Sequence, residues 1–453
     1  MNVSDKKVLV CGVAKSGISS ALLLNKLGAK VTIQDIKERE KIKYNMTALE
    51  SSGIQLYLGK NPDEILEEQD LVIVSPGIPC DLPFFKIAAS FHIPVWGEIE
   101  LAYRLCKANV VAITGTNGKT TTTALVGEIL KNYRSDTEVM GNIGIPFTEK
   151  VMDLKEDAYA VVEVSSFQLE TIHHFHPKIS AVLNITPDHL NRHKTIENYV
   201  EAKERIFLNQ NENDFLILNY DDVHCQKMKE KTESKVVFFS IKERLQEGIF
   251  LLGNDIVWKT NEDELNIMSA NELQILGKHN IANALAAIGI AICGGVPFDI
   301  IRNAVKQFKS LEHRIEYVTT INRVEFYNDS KGTNTDCAIK SIEAMKRPIV
   351  LIGGGYDKGS DFSDWVKAFE NKVKHMIVLG EVADKIIETC KLYNFESYHK
   401  VNSLNDAVEL AFSKAEQGDC ILFSPACASW DMFDNYEQRG RLFKEFVKNL
   451  EHI

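Results

Sequence analysis

The segment Gly115–Thr120 carries the residue types that hold the phosphates of a nucleotide. It reads Gly115-Thr116-Asn117-Gly118-Lys119-Thr120 and lies between a strand-like run and a helix-like run. The glycines let backbone N–H groups crowd around an anion, and a helix N-terminus adds partial positive charge. Lys119 can reach the outer phosphates, and the Thr120 hydroxyl can bind Mg²⁺. The segment predicts an ATP phosphate site. Ile113 replaces the first glycine of the usual loop, so a plain glycine-rich turn is the alternative.

Two further polar residues stand where ligand chemistry is expected. Glu163 lies in an apolar run that predicts a buried parallel strand, and a buried carboxylate is costly unless its charge is compensated. Mg²⁺ bound to ATP would compensate it; the alternative is an edge strand that faces water. His189 follows the next strand, after Pro187 has ended regular structure. Ligands of open α/β sheets bind at such strand ends, although a surface or capping histidine is the alternative.

The elements that must position these residues alternate between short apolar runs and helix-period segments, which indicates parallel sheets with crossover helices. We therefore predict an α/β fold with three blocks, divided near residues 97 and 310. The predicted strands are Val8–Cys11, Val31–Gln34, Leu71–Ser75, Val110–Ile113, Tyr159–Val164, Ile179–Leu183, Phe215–Leu218, Val236–Phe239, Val324–Tyr327, Ile349–Ile352, Met376–Leu379 and Cys420–Phe423. The predicted helices include Ile18–Leu27, Ile99–Lys107 and Ala282–Cys293.

Composition excludes several classes of protein. The chain has 453 residues, 45% hydrophobic and 25% charged, which is ordinary for globular proteins. Its net charge of −11 argues against a general binder of nucleic acid or of membrane surfaces. The chain shows neither an apolar signal region nor a membrane-spanning run, and its nine cysteines are dispersed without a C-x-x-C pair. We therefore expect a protein of the bacterial cytoplasm with reduced thiols.

Several segments, taken together and in order, resemble the Mur ligases over essentially the whole chain. Besides the phosphate loop, the resemblance is carried by Glu163–Leu169 (EVSSFQL), Asn184–Leu190 (NITPDHL), Lys278–Asn283 (KHNIAN), His313-Arg314 and Asp329–Asn334 (DSKGTN). Ser424–Ser429 (SPACAS) and Tyr436–Gly440 (YEQRG) resemble the members that add D-glutamate. So many matches in the expected order identify the chain as a member of this family.

The resemblance implies a fold of three domains. Residues 1–97 would form a Rossmann-like domain for a UDP-sugar, and residues 98–310 a central P-loop ATPase with a mainly parallel sheet. Residues 311–453 would form a C-terminal Rossmann-like domain that binds the amino acid and closes on ATP. The resemblance also implies a monomer without membrane insertion and without a nucleic-acid partner.

The resemblance further implies a reaction in peptidoglycan precursor synthesis. ATP would phosphorylate the carboxylate of UDP-N-acetylmuramoyl-L-alanine, and the amine of D-glutamate would attack the acyl phosphate to form an amide, ADP and phosphate. A free carboxylate is a poor acyl donor, and phosphate supplies the leaving group. The protein would mainly position the substrates and neutralise charge.

The resemblance assigns roles to residues one by one. Lys119, His189 and Lys203 would be catalytic, and Lys203 would be carbamylated, although its pattern alone indicates a solvated helix lysine. Two Mg²⁺ ions would be held by Thr120, Glu163, His189 and carbamylated Lys203. ATP would contact Gly115, Thr116, Asn117, Gly118, Lys119, Thr120, Thr121, Asn280, Asn283, Arg314 and Asp329. D-glutamate would contact Thr333, Lys358, Ser429 and Tyr436.

A first glycine-rich turn, Gly12–Gly17, looks like a dinucleotide site with Asp35 at the end of the next strand. The G-x-G-x-x-G fingerprint fails, because Ala14 and Lys15 stand where the close-approach glycine is needed. Given the resemblance, we interpret it as the pyrophosphate site of the UDP-sugar; the alternative is a packing turn. The predicted UDP-sugar contacts are Lys15, Ser16, Asp35, Lys37, Ser75, Gly77, Asn142 and His189.

Three other functions compete with D-glutamate ligation. A relative within the family could add another amino acid or extend a folyl-polyglutamate, but Gly354–Ser360 lacks the Asp-Asn-Pro motif of the diaminopimelate and lysine adders. An NAD-linked oxidoreductase is disfavoured by the failed fingerprint. A nucleotide-switched binding protein would hydrolyse ATP without ligation, and only an assay separates it from a ligase.

Overall fold

The computed structural model describes residues 1–142 and 144–450. Its contacts divide the chain into two compact units, which are described one at a time. The first unit comprises Met1–Glu272 and Ala282–Lys306, and the second comprises Leu273–Ile281 and the chain from Gln307 onwards. Within the described residues, no helix is long and apolar enough to cross a membrane.

The first sheet of the first unit is parallel and has the strand order β3-β2-β1-β4-β5. Its elements are β1 (Lys7–Cys11), α1 (Lys15–Lys26), β2 (Lys30–Asp35), α2 (Thr47–Ser51), β3 (Gln55–Leu58), β4 (Leu71–Val74), α3 (Pro83–Ser90) and β5 (Val95–Gly97). Strand order reverses between β1 and β4, so the turn after β1 and the residues after β4 share one crevice, where α/β sheets bind ligands.

The second sheet of the first unit has the order β14-β13-β12-β11-β10-β9-β6-β8-β7. Its strands are β6 (Asn109–Thr114), β7 (Glu138–Gly141), β8 (Tyr159–Glu163), β9 (Ile179–Val182), β10 (Phe215–Asn219), β11 (Lys235–Ser240), β12 (Gly248–Leu252), β13 (Asp255–Lys259) and β14 (Glu264–Ser269). The helices before, between and after these strands are α4 (Glu98–Tyr103), α5 (Lys119–Tyr133), α6 (Phe147–Lys150), α7 (Ser166–Leu169), α8 (Leu190–His193), α9 (Ile196–Glu204), α10 (Val223–Met228), α11 (Lys278–Cys293) and α12 (Phe298–Gln307). Strands β6 to β12 pair in parallel with their neighbours in the sheet. β13 pairs antiparallel with β12, and β14 pairs antiparallel with β13. β6 lies between β8 and β9, so the loops after all three strands meet at one sheet edge.

The sheet of the second unit has the order β15-β16-β20-β17-β18-β19, parallel except for the β15–β16 pair. Its elements are β15 (Glu316–Ile321), β16 (Val324–Asn328), α13 (Thr335–Ala344), β17 (Ile349–Gly354), α14 (Ser363–Lys367), β18 (Val373–Leu379), α15 (Ala383–Leu392), β19 (Tyr398–Lys400), α16 (Leu404–Lys414), β20 (Cys420–Phe423) and α17 (Tyr436–Asn449). Apolar clusters cover both faces of this sheet. The predicted α/β fold class with mostly parallel sheets is therefore confirmed.

Several element boundaries differ from the sequence prediction. α1 begins at Lys15 and not at Ile18, because Ala14 takes the extended N-cap conformation directly after the glycine turn. α4 ends at Tyr103 and not at Lys107, and α11 begins at Lys278 and not at Ala282. The strands β12 to β14 were not predicted; in β14, Glu264 and Asn266 interrupt the apolar alternation.

Candidate active site

The phosphate loop joins β6 to α5 in a conformation that requires its glycines. Gly115 has a φ of 148° and Gly118 a φ of 84°, in the region that L side chains rarely adopt. A Cβ on Gly118 would lie 2.2 Å from Asn283 Oδ1, so the predicted ATP residue Asn283 lies directly against the loop. Thr120 and Thr121 are buried in the first turn of α5. The structure thus has the strand–loop–helix context that a phosphate site needs.

The loop after β9 fastens the phosphate loop in place. Thr116 N–H donates to the Asn184 carbonyl oxygen (2.9 Å), and Asn117 N–H donates to Asn184 Oδ1 (2.8 Å). Asn184 Nδ2 returns a bond to the Asn117 carbonyl oxygen (2.9 Å). Thr116 Oγ1 also lies 3.2 Å from the Tyr199 hydroxyl in α9. Neither Asn184 nor Tyr199 is a predicted site residue, although Asn184 follows a buried strand and could have been found by that signal.

Lys119 begins α5 and is only partly buried. Its Nζ donates to two carbonyl oxygens of its own loop, those of Gly115 (2.7 Å) and Thr116 (2.8 Å). These bonds place the ammonium group at the loop that would surround the phosphates, where a point charge can balance theirs.

Glu163 is the last residue of β8 and is 2% exposed. β8 pairs with β6 on one side and β7 on the other, so the alternative of an edge strand facing water is wrong. Oε1 accepts a bond from Asn142 Nδ2 (2.8 Å), whereas the buried Oε2 has no hydrogen-bond partner among the described residues. Leaving a buried carboxylate oxygen without a partner is costly, which marks it as a position for a cation.

Lys203 lies in α9 and is 1% exposed, so the alternative of a solvated helix lysine is wrong. Its Nζ donates to the Gly115 carbonyl oxygen (2.8 Å) and lies 4.7 Å from the centre of the Tyr199 ring. Burial, and next the positive charge of Lys119, lower the pKa of Lys203 well below its usual value. A lowered pKa favours the neutral amine, which is the nucleophilic form, over the ammonium form.

His189 is the N-cap residue of the one-turn helix α8 and has a φ of 53°. Its ring lies 4.9 Å from the ring of Phe167 in α7, the helix that follows Glu163. The structure thus brings Lys119, Thr120, Glu163, Lys203 and His189 to the loops after β6, β8 and β9 and to the helices that follow them.

Hydrogen bonds hold the glycine turn in the crevice of the first sheet. Asp35 Oδ2 accepts a bond from Val13 N–H (2.9 Å), and Ser75 Oγ donates to the Gly12 carbonyl oxygen (3.2 Å). A Cβ on Gly17 would lie 1.9 Å from the Gly12 carbonyl oxygen, so position 17 requires glycine for α1 to pack closely against the turn. Asp35 Oδ1 also accepts from Lys37 N–H (2.9 Å).

The second unit carries the remaining predicted residues. Asp329, after β16, is buried and accepts bonds from Ser341 Oγ (2.6 Å) and Ser424 Oγ (2.7 Å). Burial raises the pKa of Asp329 to about 6, and the two serine hydroxyls and Arg314 oppose that rise. Asn280 is buried and its Nδ2 donates to the Leu276 carbonyl oxygen (2.7 Å).

The predicted D-glutamate residues share one edge of the sheet in this unit. Thr333 follows β16, Lys358 follows β17, and Ser429 follows β20, the strand between them, while Tyr436 begins α17. Lys358 Nζ lies 5.0 Å from the Trp430 ring. The buried Arg439, which the site prediction omitted, donates to the carbonyl oxygens of Ser330 (2.8 Å), Cys427 (3.1 Å) and Ala428 (3.2 Å) and so ties two of these loops together.

Comparison with known proteins agrees with this architecture. The N-terminal domain model of MurD-like Mur ligases matches residues 6–97, the Mur ligase middle domain matches 113–291, and the Mur ligase glutamate ligase domain matches 313–427. The UDP-N-acetylmuramoylalanine--D-glutamate ligase of Alkaliphilus oremlandii is 50% identical over 452 residues, with 99% of this chain and 100% of the relative covered. The protein of that name from Lachnospira eligens is 47% identical over 450 residues, with 99% and 100% covered.

Solved structures share the fold at low sequence identity. The UDP-N-acetylmuramate-alanine ligase MurC of Thermotoga maritima has a TM-score of 0.62 at 20% identity and covers 98% of this chain and 100% of its own. The MurF ligase of Thermotoga maritima in complex with ADP has a TM-score of 0.62 at 15% identity, with 99% and 96% covered. The three domain models and the full-length relatives show that the chain belongs to the Mur ligase family and is an ATP-dependent, ADP-forming amide ligase.

Proposed function

We propose that this ligase joins D-glutamate to UDP-N-acetylmuramoyl-L-alanine. The carboxylate of the L-alanyl end attacks the γ-phosphorus of ATP, and ADP leaves. The amine of D-glutamate then attacks the acyl carbon, loses a proton, and phosphate leaves as the amide forms. The observation that carries the proposal is the phosphate loop with two buried groups nearby: the Glu163 carboxylate, whose Oε2 has no hydrogen-bond partner among the described residues, and the Lys203 amine. The names of the full-length relatives support the choice of substrates.

Lys119 and the loop would hold the nucleotide. The backbone N–H groups and the N-terminus of α5 favour the negative phosphates, and the Lys119 ammonium balances the charge that moves during transfer. Asn283, against Gly118, supports the nucleotide side of the loop. We assign the remaining predicted ATP contacts, Asn280, Arg314 and Asp329, to the nucleotide on the family resemblance.

The residues around Glu163 fit a Mg²⁺ site. Oε2 of Glu163, which has no hydrogen-bond partner among the described residues, and the hydroxyl of Thr120 are oxygen ligands of the kind that Mg²⁺ prefers. Lys203 fits carbamylation, because a neutral amine can add CO₂ and release a proton, which converts a cation into an anionic oxygen ligand. With His189 these groups would hold up to two ions, which supply charge neutralisation for the phosphates when bound.

The two other substrates are assigned to the other strand ends. The UDP-sugar would lie on the first sheet at Lys15, Ser16, Asp35, Lys37, Ser75 and Gly77, and reach Asn142 and His189. D-glutamate would bind the second unit at Thr333, Lys358, Ser429 and Tyr436. We keep the domain limits 1–97, 98–310 and 311–453 as part of the proposal, with a monomer acting in the bacterial cytoplasm.

A phosphate-release assay tests the proposal. With ATP, Mg²⁺ and UDP-N-acetylmuramoyl-L-alanine, D-glutamate should support release, whereas L-glutamate, meso-diaminopimelate and L-lysine should not. Phosphate release independent of both substrates would instead favour a nucleotide-switched binding protein, and preference for another amino acid would overturn the D-glutamate assignment. Lys119→Ala should abolish release while circular dichroism shows a folded protein, since it removes the phosphate contact and only two bonds within the loop, to the Gly115 and Thr116 carbonyl oxygens.

A further inference from the structure

The short helix α8 presents His189 but cannot hold its own shape. α8 spans only Leu190–His193, and isolated helices of one turn are unstable because nucleation is unfavourable. The His189 side chain at its N-terminal end is 49% exposed. Contacts of α8 with neighbouring elements must therefore help to fix the orientation of His189, in addition to its own contact with Phe167.

His193, the last residue of α8, is the buried anchor of that helix. Its side chain is 3% exposed, and its Nε2 lies 3.0 Å from Ser166 Oγ. Its Nδ1 faces Glu170 Oε1 at 3.4 Å. Ser166 and Glu170 lie at the two ends of α7, so the His193 ring contacts both ends of this helix. The helix follows Glu163, the candidate metal ligand.

The ring is further enclosed by aromatic side chains. It stacks on Phe167 with a centroid distance of 5.5 Å and lies 5.1 Å from the ring of Tyr199, whose hydroxyl reaches the phosphate loop. Phe167 in turn contacts the His189 ring at 4.9 Å. His193 and His189 therefore pack against the same aromatic side chain.

The surroundings determine how the imidazole uses its two nitrogens. Burial lowers the pKa of His193 and outweighs the raising effect of Glu170, which favours the neutral ring. A carboxylate only accepts hydrogen bonds, so Nδ1 carries the proton toward Glu170 and Nε2 accepts from the Ser166 hydroxyl. The Arg192 guanidinium forms an ion pair with Glu170 and also donates to the Ile78 carbonyl oxygen (2.9 Å). Arg192 therefore links Glu170 to the loop after β4.

We propose that His193 is a positioning residue that fixes α8 against α7 and thereby holds the His189 ring against Phe167. The inference rests on the proposed role of His189 and goes beyond it, because His193 itself touches no substrate. A plain packing role would need only an aromatic ring of this volume. The positioning role needs the two polar contacts as well, and this difference makes the two roles separable.

The first test compares two substitutions. His193→Phe keeps a ring against Phe167 and Tyr199 but removes the contacts to Ser166 and Glu170. We expect the turnover number to fall about tenfold to a hundredfold, as for a small misplacement of a catalytic group, with the KM for ATP unchanged. His193→Gln, whose amide oxygen can accept from Ser166, should recover part of the activity. His174→Phe, at an exposed histidine of the same unit, is the matched control and should leave turnover unchanged.

The decisive test repeats His193→Phe in a His189→Ala background, with residual activity measured at high enzyme concentration. If His193 acts through His189, the second substitution should cost almost nothing once His189 is gone, because coupled residues are not additive. An undiminished loss in both backgrounds would make His193 a packing residue and overturn the inference alone. Normal turnover of His189→Ala by itself would overturn both the proposed role of His189 and the inference. Should H193F fail to fold, H193Q serves in the same two backgrounds with the same criteria.

Discussion

At the scale of single residues, the candidate site depends on two buried groups that are costly in the absence of ligands. Glu163 has a buried carboxylate oxygen with no hydrogen-bond partner in the described part of the chain, and the amine of Lys203 is buried away from water. Natural proteins retain such groups where function requires them. Glu163 ends a strand paired with β6, which the phosphate loop follows, and Lys203 donates to the Gly115 carbonyl oxygen of that loop, so both costs are located at the candidate site.

Substitution of Glu163 should separate stability from activity. Glu163→Gln keeps the acceptor for Asn142 Nδ2 and nearly the same volume, but removes the buried charge. We expect the ligand-free protein to unfold at the same or a higher temperature, whereas ligation falls by about a hundredfold or more, since a pre-arranged charge near the phosphates is lost. Calorimetry with and without Mg²⁺ and ATP checks this: wild type should gain more thermal stability from the ligands than the variant. Equal activity would show that Glu163 does not hold a cation.

Substitution of Lys203 tests the carbamate. Lys203→Ala should be nearly inactive, and added short-chain carboxylates should restore part of the activity by replacing the lost anionic ligand. Lys227→Ala, in α10, removes a lysine to which the proposal gives no role and should behave as wild type. Normal activity of Lys203→Ala in buffer depleted of CO₂ would contradict the carbamate.

At the scale of elements, Glu98 joins three helices of the first unit. It begins α4, and its Oε1 accepts from the N–H (2.7 Å) and hydroxyl (3.0 Å) of Thr148 in α6. The Thr148 hydroxyl also lies 2.8 Å from Ser19 Oγ in α1. The other carboxylate oxygen of Glu98 is buried without a hydrogen-bond partner among the described residues. Burial is the main cause that raises the pKa of Glu98 to about 7.

This raised pKa gives a signed prediction for stability. The folded protein holds the Glu98 proton more tightly than the unfolded chain, so the contribution to stability is fully present below pH 4.5 and is lost as pH rises through about 7. Glu98→Gln stays uncharged and should remove this loss. Urea titrations give the free energy of unfolding of each protein. The value for the variant minus the value for wild type should be up to about 3 kcal/mol larger at pH 8 than at pH 5. A difference that does not change with pH would mean that Glu98 is ionised throughout.

Sequence alone predicted the strands before the phosphate loop, Glu163 and His189, because short apolar runs are local signals, but it did not predict β7, which precedes Asn142. It did not predict the burial of Lys203, because a helix lysine is expected to face water and its environment comes from the phosphate loop, which is distant in sequence. The roles of His193 and Glu170 were missed for the same reason, since their contacts bridge α7 and α8.

At the scale of the whole molecule, three sheets carry three sets of strand-end loops, and the family models match the chain in the same three parts. The α/β class followed from the alternation of elements. The antiparallel strands β13 and β14 did not, because their polar residues hide the period-two pattern. Family resemblance supplied what periodicity could not, namely the reaction.

The central claim is that ATP activates a carboxylate as an acyl phosphate before the amide forms. The most direct measurement uses UDP-N-acetylmuramoyl-L-alanine labelled with ¹⁸O in its terminal carboxylate, together with D-glutamate and ATP. The oxygen that bridges carbon and phosphorus comes from the carboxylate and leaves with phosphate when the amine attacks. We predict one ¹⁸O atom in each released phosphate and one in each amide product. Unlabelled phosphate, with both ¹⁸O atoms left in the carboxylate, would mean that water receives the phosphoryl group and would contradict the account.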